Sequence, residues 1–278
     1  MYVIQPHYHA IARTAQDYER MAMSGVVAVC EPSFWAGFER EYPETFLDYF
    51  KQITEYEPTR AAQYGIRHYS WVAVNPKEAE NVALTRAVCE RMPEFFDNPH
   101  VLGIGEIGLH QMTRNECETF ELQIQIAIDH NQLILVHTPH LDDKLKGTQR
   151  ILEILSNFSA LNPDRVWVDH VEEHTVRMVM DHGYWAGMTL YPMTKMTAKR
   201  AADVLEVSGW DRMLVNSSAD WGPSDPFTLQ ECIMECSRRG FTRQELLDIF
   251  HNNACQFLGQ NPKWDIKPVY IREGQVTG

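Results

Sequence analysis

The chain has 278 residues, 44% of them hydrophobic and 23% charged, which is enough apolar material for a large core and excludes a disordered or low-complexity polypeptide. Its formal net charge of −13 counts against sequence-independent binding to nucleic acid, where Lys and Arg must displace counterions. The first residues form no basic, apolar leader, no apolar run reaches the roughly 20 residues of a membrane span, and the six cysteines contain no C-x-x-C pair. A cytoplasmic chain with reduced thiols and no membrane partner is expected, with Cys232 and Cys236 as packing residues of a helix.

Short β-branched runs recur at 2–7, 26–31, 68–75, 101–109, 133–138, 166–171, 185–190 and 213–218, each followed by a longer polar segment with helical spacing. That alternation predicts an α/β fold with a mostly parallel sheet. Eight such units favour a single-domain (β/α)8 TIM barrel, because closure removes both sheet edges; an open doubly wound sheet is the alternative. Thr14 before Gln16 and Asp17 reads as a helix start, and Gly25 and Gly183 stand where helices should stop. The barrel is expected over 1–260, and 261–278, polar and containing Pro262 and Pro268, is expected as a tail on its surface.

In such a barrel the strand ends converge on one face, so distant polar residues can meet there. His7 and His9 close the first run, Glu106 lies in the fourth, His137 ends the fifth, His170 ends the sixth, and Asp220 follows the eighth. Residues two apart on a strand share a side, so His7 and His9 can aim two imidazoles at one ion. A lone His or Glu at a strand end reads as a structural group, and Asp220 alone reads as a helix N-cap. Six such groups on one face read as ligands for one or two divalent ions, with zinc first, and manganese or iron ahead of calcium.

Two competing motifs fail in context. Gly103-x-Gly105-x-x-Gly108 matches a dinucleotide fingerprint, but the glycines begin after only two strand residues and an acid interrupts the variable stretch, so no nicotinamide or flavin is expected. His170-Val171-Glu172-Glu173-His174 matches H-x-x-E-H, which needs both histidines on one helical face. The run into His170 is strand-like, so His170 is kept as a ligand and His174 is placed in the following helix, exposed or behind the ligands. No G-x-S-x-G elbow or P-loop occurs.

The series His7-Tyr8-His9, the segment from Gly103 to Leu109, Leu135-Val136-His137-Thr138, Asp169-His170 and Asp220 resembles the TatD-like metal-dependent hydrolases of the amidohydrolase superfamily. The resemblance implies that His7 and His9 hold one metal, Glu106 bridges two, His137 and His170 complete the second site, and Asp220 works on the bound water. The chain departs from the family pattern at Gln5 and His110, where many relatives have Asp, and at Thr138-Pro139-His140, where an Arg is common.

These departures and the charge point to a small-molecule substrate, an amide, ester, lactone or phosphoester, with nucleic acid not the expected partner. A TatD-like deoxyribonuclease, a metal-dependent isomerase or lyase, and a barrel with a purely structural metal are the alternatives. Trp35, Tyr191, Lys195 and Trp221 fall in loops suited to substrate contact. Lys144, Lys146, Lys195, Lys199 and Arg200 are expected to face solvent.

Overall fold

The computed structural model describes residues 1–140 and 143–271. Its strands are β1 (Val3–Gln5), β2 (Val26–Pro32), β3 (Arg67–Val72), β4 (Val101–Gly108), β5 (Leu133–His137), β6 (Val166–Val168), β7 (Trp185–Thr189) and β8 (Met213–Asn216). They form one sheet in chain order, each parallel to the next. The segments leaving β1 and β8 meet: the Ser218 amide donates to the His7 carbonyl and the His9 amide to the Ala219 carbonyl, each at 3.0 Å. The result is a nearly closed (β/α)8 barrel.

Alternation along the strands sorts the core into two layers. Ile4, Cys30, Trp71, Leu135, Trp167 and Leu214 belong to one buried cluster, which Phe257 and Trp264 also join. Val3, Val29, Val72, Val136, Val168 and Val215, one position away on the same strands, pack in the other with helical residues such as Phe50, Ile124 and Leu205. Trp71 and Trp167 are fully buried, and each such ring removes about 150–250 Å2 from water, worth roughly 4–6 kcal/mol.

Local signals set the helix ends. Thr14 caps the helix Ala15–Met23 through a capping box with Asp17, and Gly25 and Gly183 take φ of +89° and +81° where their helices give way to strands. The helix Pro43–Lys51 runs on through a π turn, Gln52–Tyr56, into Glu57–Ala62.

The expected strands begin within a residue or so of the observed ones but several run too far: β1 stops at Gln5, β3 at Val72 and β6 at Val168. Burial continues past the regular ladder at His7, Val74 and Val171, joined by single backbone bonds such as the Val171 amide to the Gly187 carbonyl at 2.8 Å, which is why the letters still read as strand. Beyond the last helix, Trp264 is buried and Asp265 accepts from the Tyr69 hydroxyl at 2.6 Å. Residues 272–278 of the expected tail lie outside the described residues. None of the six cysteines is in a disulfide, and no helix among the described residues is long and apolar enough to cross a membrane.

Candidate metal centre

Five of the sequence-selected residues meet at the C-terminal mouth of the barrel. His7 and His9 follow β1, Glu106 lies within β4, His137 ends β5, and His170 stands two residues past β6. The register of β4 against β5 shifts between Gly105 and Ile107, so Glu106 drops out of the ladder where its side chain enters the mouth. His170 turns into place with φ of +61°, a left-handed conformation that is costly for a side-chain-bearing residue and clusters at functional sites. The Gly108 backbone comes so close to the His137 carbonyl that a Cβ there would collide with it.

Glu106 is the hub. Its Oε1 lies 3.5 Å from His7 Nε2, 3.2 Å from His137 Nδ1 and 3.2 Å from His170 Nε2. His7 Nε2 faces His9 Nε2 at 3.1 Å, and His137 Nδ1 faces His170 Nε2 at 3.1 Å. Two triads, His7–His9–Glu106 and Glu106–His137–His170, therefore share one carboxylate.

The surrounding bonds decide where the ring protons sit. Asp169, flanked by Asn216 and Thr189 as donors, can only accept, so His7 carries its proton on Nδ1 and donates at 2.6 Å. His170 Nδ1 donates to Thr189 Oγ1 at 2.6 Å. Both rings thus turn Nε2 lone pairs toward the centre, while Asn75 donates to the other oxygen of Glu106 at 3.1 Å. Burial pulls His9, His137 and His170 well below the ordinary imidazole range, which keeps them neutral. Lone pairs converging on a carboxylate in a buried pocket repel one another unless a cation sits among them, so this donor set fits divalent metal. A ring whose other nitrogen is fixed by a carboxylate or hydroxyl is the usual arrangement behind a ligating His.

Asp220 is not drawn into either triad. Its Oδ1 accepts from the Tyr191 hydroxyl at 2.9 Å and the Gly222 amide at 2.7 Å, while its other oxygen has no hydrogen bond among the described residues. Ser218, two residues earlier and with φ of +44°, instead reaches His7 Nε2 with its hydroxyl at 3.3 Å. The physical reason is the turn Asp220-Trp221-Gly222, where the short side chain bonds its own backbone two residues on.

Several other expectations need correcting or sharpening. Lys144 does not face solvent: it is 1% exposed, donates to Thr138 Oγ1 at 2.7 Å, and burial pulls its pKa down to about 7. Lys195 is half-buried over the Tyr191 ring at 4.5 Å, and burial pulls its pKa down against the opposing pull of the Glu106, Asp169 and Asp220 carboxylates. Arg200 is paired with Glu173 at 2.7 Å. His174 is exposed and precedes the helix Val176–Asp181 rather than lying in it.

His110 and His140 both come near His137, at 6.4 and 5.0 Å between ring centroids. Asn75, Thr189, Asn216 and Ser218 were not selected from sequence. Their common signal is a polar residue at or just past the end of a strand. Gly187 is part of the same design, since a Cβ there would collide with the Asp169 carboxylate and the Trp167 indole.

The family described as TatD related DNase matches residues 6–259. An uncharacterized metal-dependent hydrolase of Methanocaldococcus jannaschii is 27% identical over 257 residues, 92% of this chain and 99% of that relative. The crystal structure of a TatD-like protein from Archaeoglobus fulgidus superposes with a TM-score of 0.76 at 26% identity, covering 92% of this chain and 99% of the other. The phosphotriesterase homology protein of Escherichia coli, solved with phosphate in its active site, shares the fold with a TM-score of 0.67 at 14% identity, covering 92% of this chain and 98% of its own.

Proposed function

The chain belongs to the TatD related DNase family, and on that premise we propose that this metal-dependent hydrolase acts on a small-molecule amide, ester, lactone or phosphoester. The proposed centre is one or two divalent ions, zinc first and manganese or iron as alternatives, held by His7, His9, Glu106, His137 and His170. The observation that carries the reading is one carboxylate oxygen, Glu106 Oε1, within 3.5 Å of ring nitrogens from three separate strands or their ends.

A bound divalent ion supplies two things, a water whose pKa falls from about 15.7 toward roughly 7 and polarisation of the bond to be cut. The protein's own groups do the rest. Asp169 fixes the His7 tautomer, Thr189 that of His170, and Asn75 orients Glu106. Asp220 acts in this proposal as proton acceptor rather than ligand: Oδ1 is anchored by Tyr191 and Gly222, which leaves the second oxygen to take a proton and return it to the leaving group.

A small molecule is favoured over a nucleic-acid strand because the guanidinium groups near the mouth are already engaged by carboxylates. Arg40 pairs with Glu78 at 2.7 Å, Arg60 with Glu57 at 2.9 Å, and Arg200 with Glu173 at 2.7 Å. A cytoplasmic location belongs to the same proposal, supported by the free cysteines. The test is incubation of metal-loaded protein with single- and double-stranded DNA at low salt, where electrostatic binding is strongest. No degradation above background is expected. Metal-dependent cleavage faster than about 1 per second and lost in Asp220→Asn would contradict the small-molecule reading.

A further inference from the structure

Phe34 and Trp35 leave β2 and Trp221 follows β8, and the three rings gather beside the proposed metal centre. Phe34 stacks on the His9 imidazole, 4.0 Å between centroids and 27° between planes. Trp221 lies 4.7 Å from Phe34 and 6.1 Å from Trp35. These rings, with Ile11, Tyr49 and Arg40, line a cavity of about 460 Å3, within the ordinary size of small-ligand pockets. The Tyr49 hydroxyl accepts from the Phe34 amide at 2.9 Å and holds that wall in place.

Two features say what the cavity takes. Trp221 is 52% exposed, and a large ring left open to water beside a concave apolar wall marks a surface that something covers. Arg40, the one cation among the lining residues, is also spent, since it pairs with Glu78 at 2.7 Å and lies over Phe46 and Tyr49 at 4.6 and 4.7 Å, while Lys77 sits over the Trp35 ring at 4.7 Å and leaves Trp221 as the more open face. The cavity therefore offers π faces and aliphatic surface with Thr45, Asp48 and Gln52 as its polar side, and an acid there with no free guanidinium disfavours a phosphate.

We propose that this cavity is a substrate subsite for a flat, unsaturated ring system, with Trp221 and Trp35 as its specificity-determining faces. The ring belongs to the same small molecule whose hydrolysable bond reaches the centre beyond His9. This rests on the hydrolase reading of that centre.

The experiment measures calorimetric binding of 2-naphthoate, cyclohexanecarboxylate and thymidine 5′-monophosphate to the purified chain, with and without zinc, alongside metal content. 2-Naphthoate is expected to bind about five- to tenfold tighter than cyclohexanecarboxylate, the gain a stacked pair gives beyond area burial. Trp221→Ala and Trp35→Ala should each reduce that preference, Trp221→Phe should keep most of it, and metal content should match the parent in all three. Equal affinity for the two carboxylates, or a preference untouched by both alanine variants, overturns the subsite. Tighter binding of thymidine 5′-monophosphate than of 2-naphthoate that both alanine variants leave unchanged also overturns it, because the nucleotide is then held by its phosphate and not by a ring stack. The ring preference is read in metal-free protein too, so a chain that takes up no metal would refute the hydrolase centre while leaving the subsite to stand or fall on its own result.

Discussion

At Glu106 one oxygen faces three imidazole nitrogens, whereas at Asp220 the carboxylate is turned to a hydroxyl and a backbone amide. The two acids should respond differently to loss of charge. Glu106→Gln removes the negative charge shared by both triads, and metal affinity should fall by more than about tenfold, with activity falling alongside it. Isothermal titration with zinc reads this, and unchanged affinity would demote Glu106 to an orienting residue. Asp220→Asn keeps the anchor but removes the proton acceptor, so metal content should hold while turnover drops at least about a hundredfold. Turnover near the parent's would place the acceptor elsewhere.

Between β2 and β3, Glu31 and His68 meet at 2.8 Å as a fully buried cross-strand pair. Burial pushes the Glu31 carboxyl up to about 8 and pulls His68 down to about 3, so near neutrality a protonated acid donates to a neutral ring. For Glu31 the folded state holds the extra proton between an unfolded pKa of about 4.3 and the folded value, and its stabilisation is lost as pH rises through about 8. For His68 the unfolded state holds more protons between about 3 and about 6.5, so its term improves with rising pH. The slopes oppose each other up to about pH 6.5, and above it only the Glu31 loss remains. Relative to Glu31→Gln, the parent should therefore lose stability from about pH 6.5 to 8, by at most about 1.4 kcal/mol per pH unit, while Lys144, pulled down to about 7, acts in the opposite sense above that pH in both proteins and drops out of the difference. Urea unfolding of both proteins at the two pH values checks this; parallel slopes would contradict it.

The strand starts were legible because each strand holds a short buried apolar run, β-branched at its head in β1, β2, β4 and β6, and the helix starts because residues such as Thr14 carry their caps in the sequence. The ends were not, since His7, Val74 and Val171 stay buried beyond the ladder and burial, not pairing, is what hydrophobic letters report.

Across the whole molecule, order along the chain was enough to gather His7, His9, Glu106, His137 and His170, because a barrel brings every strand end to one face. The orientation of Asp220 was hidden because it depends on a turn that no periodicity records, and the burial of Lys144 because it is the first residue of its helix, where a 3.6-residue pattern has only begun. Net charge reported the exterior correctly as acidic but said nothing of the mouth, where Lys144 and Lys195 act on His137 and His140.

The central claim, that the converging imidazoles and Glu106 constitute a metal centre, is tested most directly by the metal content of the purified chain before and after reconstitution. Five convergent donors exceed what one four-coordinate ion uses, so between about one and two equivalents of transition metal per chain are expected. A content below about 0.2 equivalents that does not rise on reconstitution would contradict the account.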